Sequence, residues 1–225
     1  MSFQQKFVII LNNCFLFLDI LIYNKITKQS KMLNMIKEED FVIKKSSVPG
    51  AGKGVFCKRD IPAGTCLPYT CMIFKSSELP DDVIDTYHMS VSFFTEEGEQ
   101  KTYRNFVTDG NPKLSCFKPY NKHKLETTAA YVNECSTYSP NCVFVTDPSV
   151  TKDMVKKMYK NKEVGSLVYL VIPEDLTKGT ELFTLYGSGY NSRQYKVWRD
   201  RRGYVDNLVT KAHRIAYGDE YLELE

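Results

Sequence analysis

A chain of 225 residues can bury one sizeable core, or one domain with an extension. Hydrophobic residues at 43% and charged residues at 25% exclude the disordered and fibrous classes. A net charge of +3 is too small to imply a nucleic-acid partner, and the basic runs Lys152, Lys156, Lys157, Lys160, Lys162 and Arg193, Lys196, Arg199, Arg201, Arg202 read as solvated faces.

In chain order, residues 7–23 are nearly all apolar but are interrupted by Asn12, Asn13 and Asp19. That run is short and carries polar groups costly to a membrane span. Tyr23, Asn24 and Lys25 follow it in place of the small residues of a signal cleavage site. It reads as an amphipathic helix or an extension outside the domain, with Met32 and Met35 as candidate starts. Residues 24–40 read as a linker. Short strands are then expected at Phe41-Val42-Ile43, Val55-Phe56-Cys57 and 66–74. Turns separate them at 48–54 and 60–65. Residues 78–130 are mixed, with a short helix over 81–88 and a strand at Asn105-Phe106-Val107. Tyr131-Val132 and Val143-Phe144-Val145 are β-rich, 151–162 has helical composition, and 167–172 is a nearly continuous apolar strand. Residues 193–202 again suit a helix. The sum is a mainly β domain with a few helices inserted between short strands.

The seven cysteines (Cys14, Cys57, Cys66, Cys71, Cys116, Cys135, Cys142) are odd in number, and none are paired at Cys-x-x-Cys spacing. That argues against a secreted disulfide framework and against a zinc ribbon. His88, His123 and His213 stand isolated and form no ligand pattern. A reducing compartment and no metal are expected.

Gly50-Ala51-Gly52-Lys53-Gly54-Val55-Phe56 would let a ligand approach the backbone closely. It lacks the spacing of a phosphate loop, and no βαβ unit surrounds it to suggest a dinucleotide fold. Together with Arg59-Asp60-Ile61-Pro62-Ala63-Gly64 it resembles the opening of a SET domain, which reads Gly-x-Gly-Val-Phe and then Arg-Asp-Ile-Pro-x-Gly. The resemblance continues in order. Tyr69 keeps the tyrosine of a Glu-Tyr-x-Gly-Glu strand, and Val107-Thr108-Asp109-Gly110 is similar to Ile-Asp-Ala. Tyr131-Val132-Asn133-Glu134-Cys135-Ser136, ending in Pro140-Asn141-Cys142, resembles Phe-Ile-Asn-His-Ser-Cys-x-Pro-Asn-Cys. Gly179-Thr180-Glu181-Leu182 with Tyr186-Gly187 resembles the closing Gly-Glu-Glu-Leu and Tyr-Gly.

The resemblance implies a SET-domain (β-clip) fold with a pseudo-knot over residues 41–190, flanked by an extension at 1–40 and a helical tail at 191–225. It implies S-adenosylmethionine as cofactor and a protein presenting a lysine, histone or other, as partner. Gly52, Lys53 and Gly54 would hold the amino-acid end of the cofactor, Asn133 the opposite wall, and the Glu134 backbone the adenine. Tyr186 would be the catalytic tyrosine. Tyr69, Phe144 and Thr184 would line the lysine channel, and Trp198 would stack on the adenine or pack in the core. Thr184 and Phe144 occupy positions where a tyrosine hydroxyl limits product to one methyl, so further methylation is expected. Glu134 stands where the family carries histidine, and the zinc-binding flanks of many relatives are missing. A catalytically inactive relative that binds a peptide is therefore the second reading. A nucleic-acid-binding protein is a third, with no recognisable module behind it. The compartment is expected to be intracellular, nuclear or cytoplasmic.

Overall fold

The computed structural model describes residues 38–78, 88–111, 128–134, 139–186 and 202–219. The chain divides between Met35 and Ile36, and every described residue lies in the second unit. The apolar run at 7–23, the expected linker up to residue 37 and most of the expected helices at 81–88 and 193–202 lie outside the described residues.

Two antiparallel sheets form the framework. Strands β1 (Phe41–Lys45) and β2 (Lys53–Cys57) make a hairpin in which Phe41 pairs with Cys57 and Lys45 with Lys53. The larger sheet contains β3 (Thr65–Lys75), β4 (His88–Phe94), β5 (Gln100–Asp109), β6 (Val143–Thr146) and β7 (Gly165–Ile172), in the order β4-β5-β3-β7-β6. β7 is nearly continuous in apolar residues because it has β3 on one side and β6 on the other, and its last six residues are buried.

β3 changes partner along its length. Thr65 to Cys71 pair with β7, Met72 to Lys75 pair with β5, and the register shifts between Tyr69 and Thr70. Pro68 falls where β3 has a ladder partner on one side only, which is where a strand tolerates proline. The irregularity places Tyr69 where the two pairings meet.

Helix α1 (Lys152–Asn161) joins β6 to β7. The Thr151 side chain caps it by accepting from the Met154 N–H, and Lys162 closes it in the left-handed region at φ 53°. Val155 is its buried anchor. Helix α2 (Arg202–Tyr217) packs on β6 and β7 through Leu208, Ala212 and Ala216, four residues apart and all buried. Tyr217 donates to the Thr146 carbonyl at 3.0 Å and Lys211 pairs with Glu174 at 2.6 Å.

Several local expectations change. Glu38–Asp40 form a 3-10 turn instead of a linker, because Asp40 is buried against Arg59 in a bidentate pair at 2.5 and 2.6 Å. The expected turn at 48–54 ends two residues early, since Lys53 and Gly54 already belong to β2. His88 opens a strand, not the end of a helix. Tyr131 closes a 3-10 turn (Thr128–Tyr131), and Asn133 bridges to Phe183 instead of extending a strand through 131–132. Helix α2 starts at Arg202, where the sequence reading had a helix end.

Candidate active site

The site is built where three segments cross. The first is β2, whose Gly54 leaves no room for a side chain: a Cβ there would lie 2.0 Å from Glu181 Oε1 and 3.3 Å from Asn133 Nδ2. Gly52, at φ +75°, turns the chain into β2 and accepts the Ser46 N–H at 2.9 Å. The second segment is 131–134, and the third is 181–186.

Asn133 ties all three together. Its side-chain amide donates to the Lys53 carbonyl at 2.8 Å, and its backbone carbonyl accepts the Thr184 N–H at 3.0 Å. It forms a parallel bridge with Phe183, whereas the named strands all pair antiparallel. The Tyr186 hydroxyl donates to the Val132 carbonyl at 2.6 Å. Asn141 locks the crossing from the other side. It donates to the Glu181 carbonyl at 2.8 Å and accepts the Phe183 N–H at 2.9 Å, while its own N–H reaches the Phe183 carbonyl at 2.9 Å. Residues 132–133 and 141–142 are thus both laced to 181–186. This is the pseudo-knot the resemblance implies.

Glu181 fastens the glycine-rich hairpin to the knot. Its buried carboxylate accepts Ser46 Oγ at 2.6 Å, the Ser47 N–H at 2.8 Å and the Ser47 hydroxyl. Charge-assisted hydrogen bonds of this kind offset much of the cost of burying a carboxylate.

Tyr69 is 3% exposed and meets Phe144 edge-on, ring centroids 5.4 Å apart. Burial pushes the Tyr69 phenol well above its ordinary value, helped by Cys71, Asp109 and Tyr186 nearby and eased in part by a backbone hydrogen bond at Gly110. Gly110 packs against the ring so closely that a Cβ would fall 2.4 Å from Tyr69 Cζ. Asp109, buried beside it, accepts the Asn111 N–H at 2.7 Å and meets His88 Nε2 at 3.3 Å. Thr184 is buried, and its Oγ1 has no hydrogen-bond partner. Glu134 is buried as well, and neither carboxylate oxygen completes a hydrogen bond. Burial raises its carboxyl above the ordinary value, and the Tyr186 backbone N–H eases this only in part. The four described cysteines are buried and free. Burial lifts Cys57 to about 11 and Cys66 and Cys71 each to about 12, which leaves no described thiol poised as a nucleophile.

The structure therefore brings together Lys53, Gly54, Asn133, Thr184 and Tyr186 in one hydrogen-bonded crossing, and Tyr69 with Phe144 in one ring contact. Trp198 lies outside the described residues. Lys53 turns its ammonium over the Tyr131 ring at 5.6 Å. The sequence reading assigned no role to Glu181, Asn141, Ser46 or Ser47. Their signal was available only as motif membership, since nothing local marks a carboxylate 134 positions from its serine as the latch of a loop. Among the described residues, no group of His, Cys, Asp or Glu could hold a metal ion, and no helix is long and apolar enough to cross a membrane.

The family model described as SET domain matches residues 52–187, from the glycine-rich turn to the residue after Tyr186. The chain belongs to the SET-domain family. Among solved structures, the methyltransferase domain of human PR domain-containing protein 2 is 17% identical, with a TM-score of 0.39, over 68% of this chain and 80% of its own. The SET domain of the RIZ1 tumor suppressor (PRDM2) is 16% identical at a TM-score of 0.37, over 74% and 81%. KRYPTONITE, in complex with mCHH DNA, H3(1-15) peptide and SAH, is 16% identical at 0.39, over 68% of this chain and 24% of that one. No curated protein matches the chain.

Proposed function

We propose that this chain is an S-adenosylmethionine-dependent protein-lysine N-methyltransferase. One observation carries the reading: Asn133 is bonded at once to Lys53 of the glycine-rich strand and to Thr184, two residues before Tyr186. The three positions the family uses for cofactor and catalysis thereby converge on one crossing. The proposed catalytic unit spans 41–190, with 1–40 and 191–225 as flanks.

The residues present fit the cofactor. Gly54 carries no side chain, which lets Asn133, the residue proposed for the opposite wall of the cofactor, pack against the glycine-rich strand. Asn133 keeps a side-chain carbonyl oxygen beyond the amide it gives to Lys53. Gly52, Lys53, Gly54 and Asn133 would hold the amino-acid end and the Glu134 backbone the adenine, with Trp198 as the candidate to cover it. Bound S-adenosylmethionine supplies an electrophilic methyl group on a positively charged sulfur.

What remains for the protein is alignment and desolvation. Holding amine and methyl in line supplies several kcal/mol of the barrier reduction. The substrate lysine must arrive as a neutral amine, although its ordinary pKa is about 10.4. Tyr69 and Phe144 would form an aromatic, water-poor channel that disfavours the ammonium. The Tyr186 hydroxyl donates to the Val132 carbonyl, which fixes the phenol in place to orient the reacting groups. In this reading it orients and does not act as a base.

The partner is a protein that presents a lysine, histone or other. Glu134 in the histidine position favours one competing reading, an inactive relative that binds peptide through the same groove. Titrating the full chain with S-adenosylmethionine and then measuring single-turnover methyl transfer separates the two. Binding followed by turnover supports the enzyme, and binding without turnover on any protein pool supports the inactive module.

A further inference from the structure

Asp109 has no part in the methyl transfer as described so far, yet it is the most deeply buried carboxylate among the described residues, at 1% exposed. Burying a carboxylate is costly unless its oxygens are engaged, and both of these are. Oδ1 accepts the Asn111 N–H at 2.7 Å, and Oδ2 meets His88 Nε2 at 3.3 Å. His88 is also its ladder partner on β4, and Met72 is its partner on β3. The last residue of β5 is therefore held from both neighbouring strands.

The bond to Asn111 closes a turn of the kind an aspartate forms with the N–H two residues on. Gly110 is the residue inside that turn, and it meets the hydroxyl end of Tyr69. A Cβ on Gly110 would lie 2.4 Å from Tyr69 Cζ and 2.5 Å from its Oη, and the Gly110 N–H donates to the phenol oxygen. Tyr69 itself stands at an irregularity of β3: the register shifts between Tyr69 and Thr70, and pairing with β5 begins only at Met72. The strand ladders alone leave the ring end free to fall in more than one place. The Gly110 contact and the edge of Phe144 at 5.4 Å remove that freedom. Tyr186 lies near enough to act electrostatically on the same phenol. One series of contacts thus runs from Asp109 through Gly110 and Tyr69 toward Tyr186.

We propose that Asp109 is a positioning residue of the methyl transfer: by closing the 109–111 turn it holds the Gly110 N–H against the Tyr69 hydroxyl, and so fixes that hydroxyl in the wall of the lysine channel. The inference rests on the methyltransferase reading. Asp109 touches neither substrate nor cofactor and takes up no proton, so its effect is geometric. In-line attack tolerates little misplacement of the amine, and a Tyr69 hydroxyl free to swing no longer offers the amine a fixed neighbour. An asparagine at this position can do the same work, because its side-chain oxygen accepts the Asn111 N–H and its amide donates to His88. A valine suits a strand end but supplies neither bond.

A double-mutant cycle of Asp109→Val and Tyr69→Phe tests this in the full chain, with Asp109→Asn alongside. The readouts are methylation of a histone panel and whole-cell protein, and isothermal titration with S-adenosylmethionine. Asp109→Val and Tyr69→Phe should each lower kcat on the order of ten- to a hundred-fold, the scale of a misplaced reacting group. Cofactor affinity should change less than about two-fold in either, since the contact bears on the transition state alone. The double variant should fall within about two-fold of Tyr69→Phe, because the two residues act as one unit. Asp109→Asn should restore most of the turnover that Asp109→Val loses. Additive losses in the double variant would make Asp109 a residue of general stability and overturn the proposal. Wild-type turnover in either single variant would also overturn it, as would an Asp109→Asn variant as slow as Asp109→Val. If Asp109→Val does not fold, the pair His88→Leu with Asp109→Val takes its place, since it leaves neither half of the contact buried alone. A wild type that transfers no methyl group fails the methyltransferase reading and this inference together, whereas an active wild type with additive losses fails this inference alone.

Discussion

The Asn133 side chain donates to the Lys53 carbonyl at 2.8 Å, across a sequence separation of 80 residues. This bond joins the glycine-rich strand to the threaded segment, and Gly54 is the residue that lets the two approach.

Gly54→Ala should therefore be costly. The added Cβ meets the Glu181 carboxylate at 2.0 Å, and Glu181 cannot yield because Ser46 and Ser47 hold it. A loss of about 1–3 kcal/mol in chemical denaturation is expected, as for other overpacked sites. Gly203→Ala, in α2 with nothing within 4 Å, is the control and should be neutral or stabilising by up to about 1 kcal/mol. Equal stabilities for the two variants would mean that the hairpin does not close on the knot.

Glu134 should leave a pH signature on the cofactor-free protein. Its carboxyl is raised above 4.5 by burial in the folded state, so the folded chain holds that proton more tightly than the unfolded chain. Stability contributed by this site is full below the unfolded value and falls as pH rises through the folded one. Glu134→Gln removes the loss. Its stability relative to wild type should rise between mildly acidic and neutral pH, and the difference should be flat below about pH 4. A difference that does not vary with pH would mean the carboxylate is solvated or paired.

Tyr186→Phe deletes the hydroxyl that donates to the Val132 carbonyl. The expected stability cost is about 1 kcal/mol. Turnover should fall by far more than cofactor affinity, since the hydroxyl is assigned to orienting the reacting groups. Wild-type turnover in this variant would make Tyr186 a packing residue and displace the active site.

The strands were legible where apolar runs and turn residues are local: β1, β3, β6, β7 and α1 all fall within a few residues of their expected places. The motifs, read in order, named Lys53, Asn133 and Tyr186, and the structure brings the segments that carry them to one crossing. What sequence could not supply was anything set by distant contacts. Asp40 looked like linker because its partner Arg59 lies on the far side of a hairpin. β4 was unreadable because its polar and apolar residues alternate imperfectly around a register shift near Ser90 and Ser92. The burial of Glu134 against the backbone of Tyr186, 52 residues away, belongs to a threading that no local pattern encodes.

The proposed lysine channel bears on the product. Phe144 meets Tyr69 edge-on and has no hydroxyl, and Thr184 is too short to replace one. An amine with fewer N–H donors leaves less unsatisfied there, where an unpaired donor costs about 1–3 kcal/mol. Methylation is expected to pass beyond one methyl group, and Phe144→Tyr should hold it at the first. Mass spectra with only monomethyl-lysine at long times and excess enzyme would contradict this, as would an unchanged distribution in Phe144→Tyr.

The most direct measurement is mass spectrometry of a histone panel and whole-cell protein incubated with the full chain and methyl-labelled S-adenosylmethionine. Labelled methyl groups on lysine nitrogen, lost with Tyr186→Phe, are the expected result. Saturable cofactor binding with no labelled lysine on any protein would contradict the assignment as an enzyme.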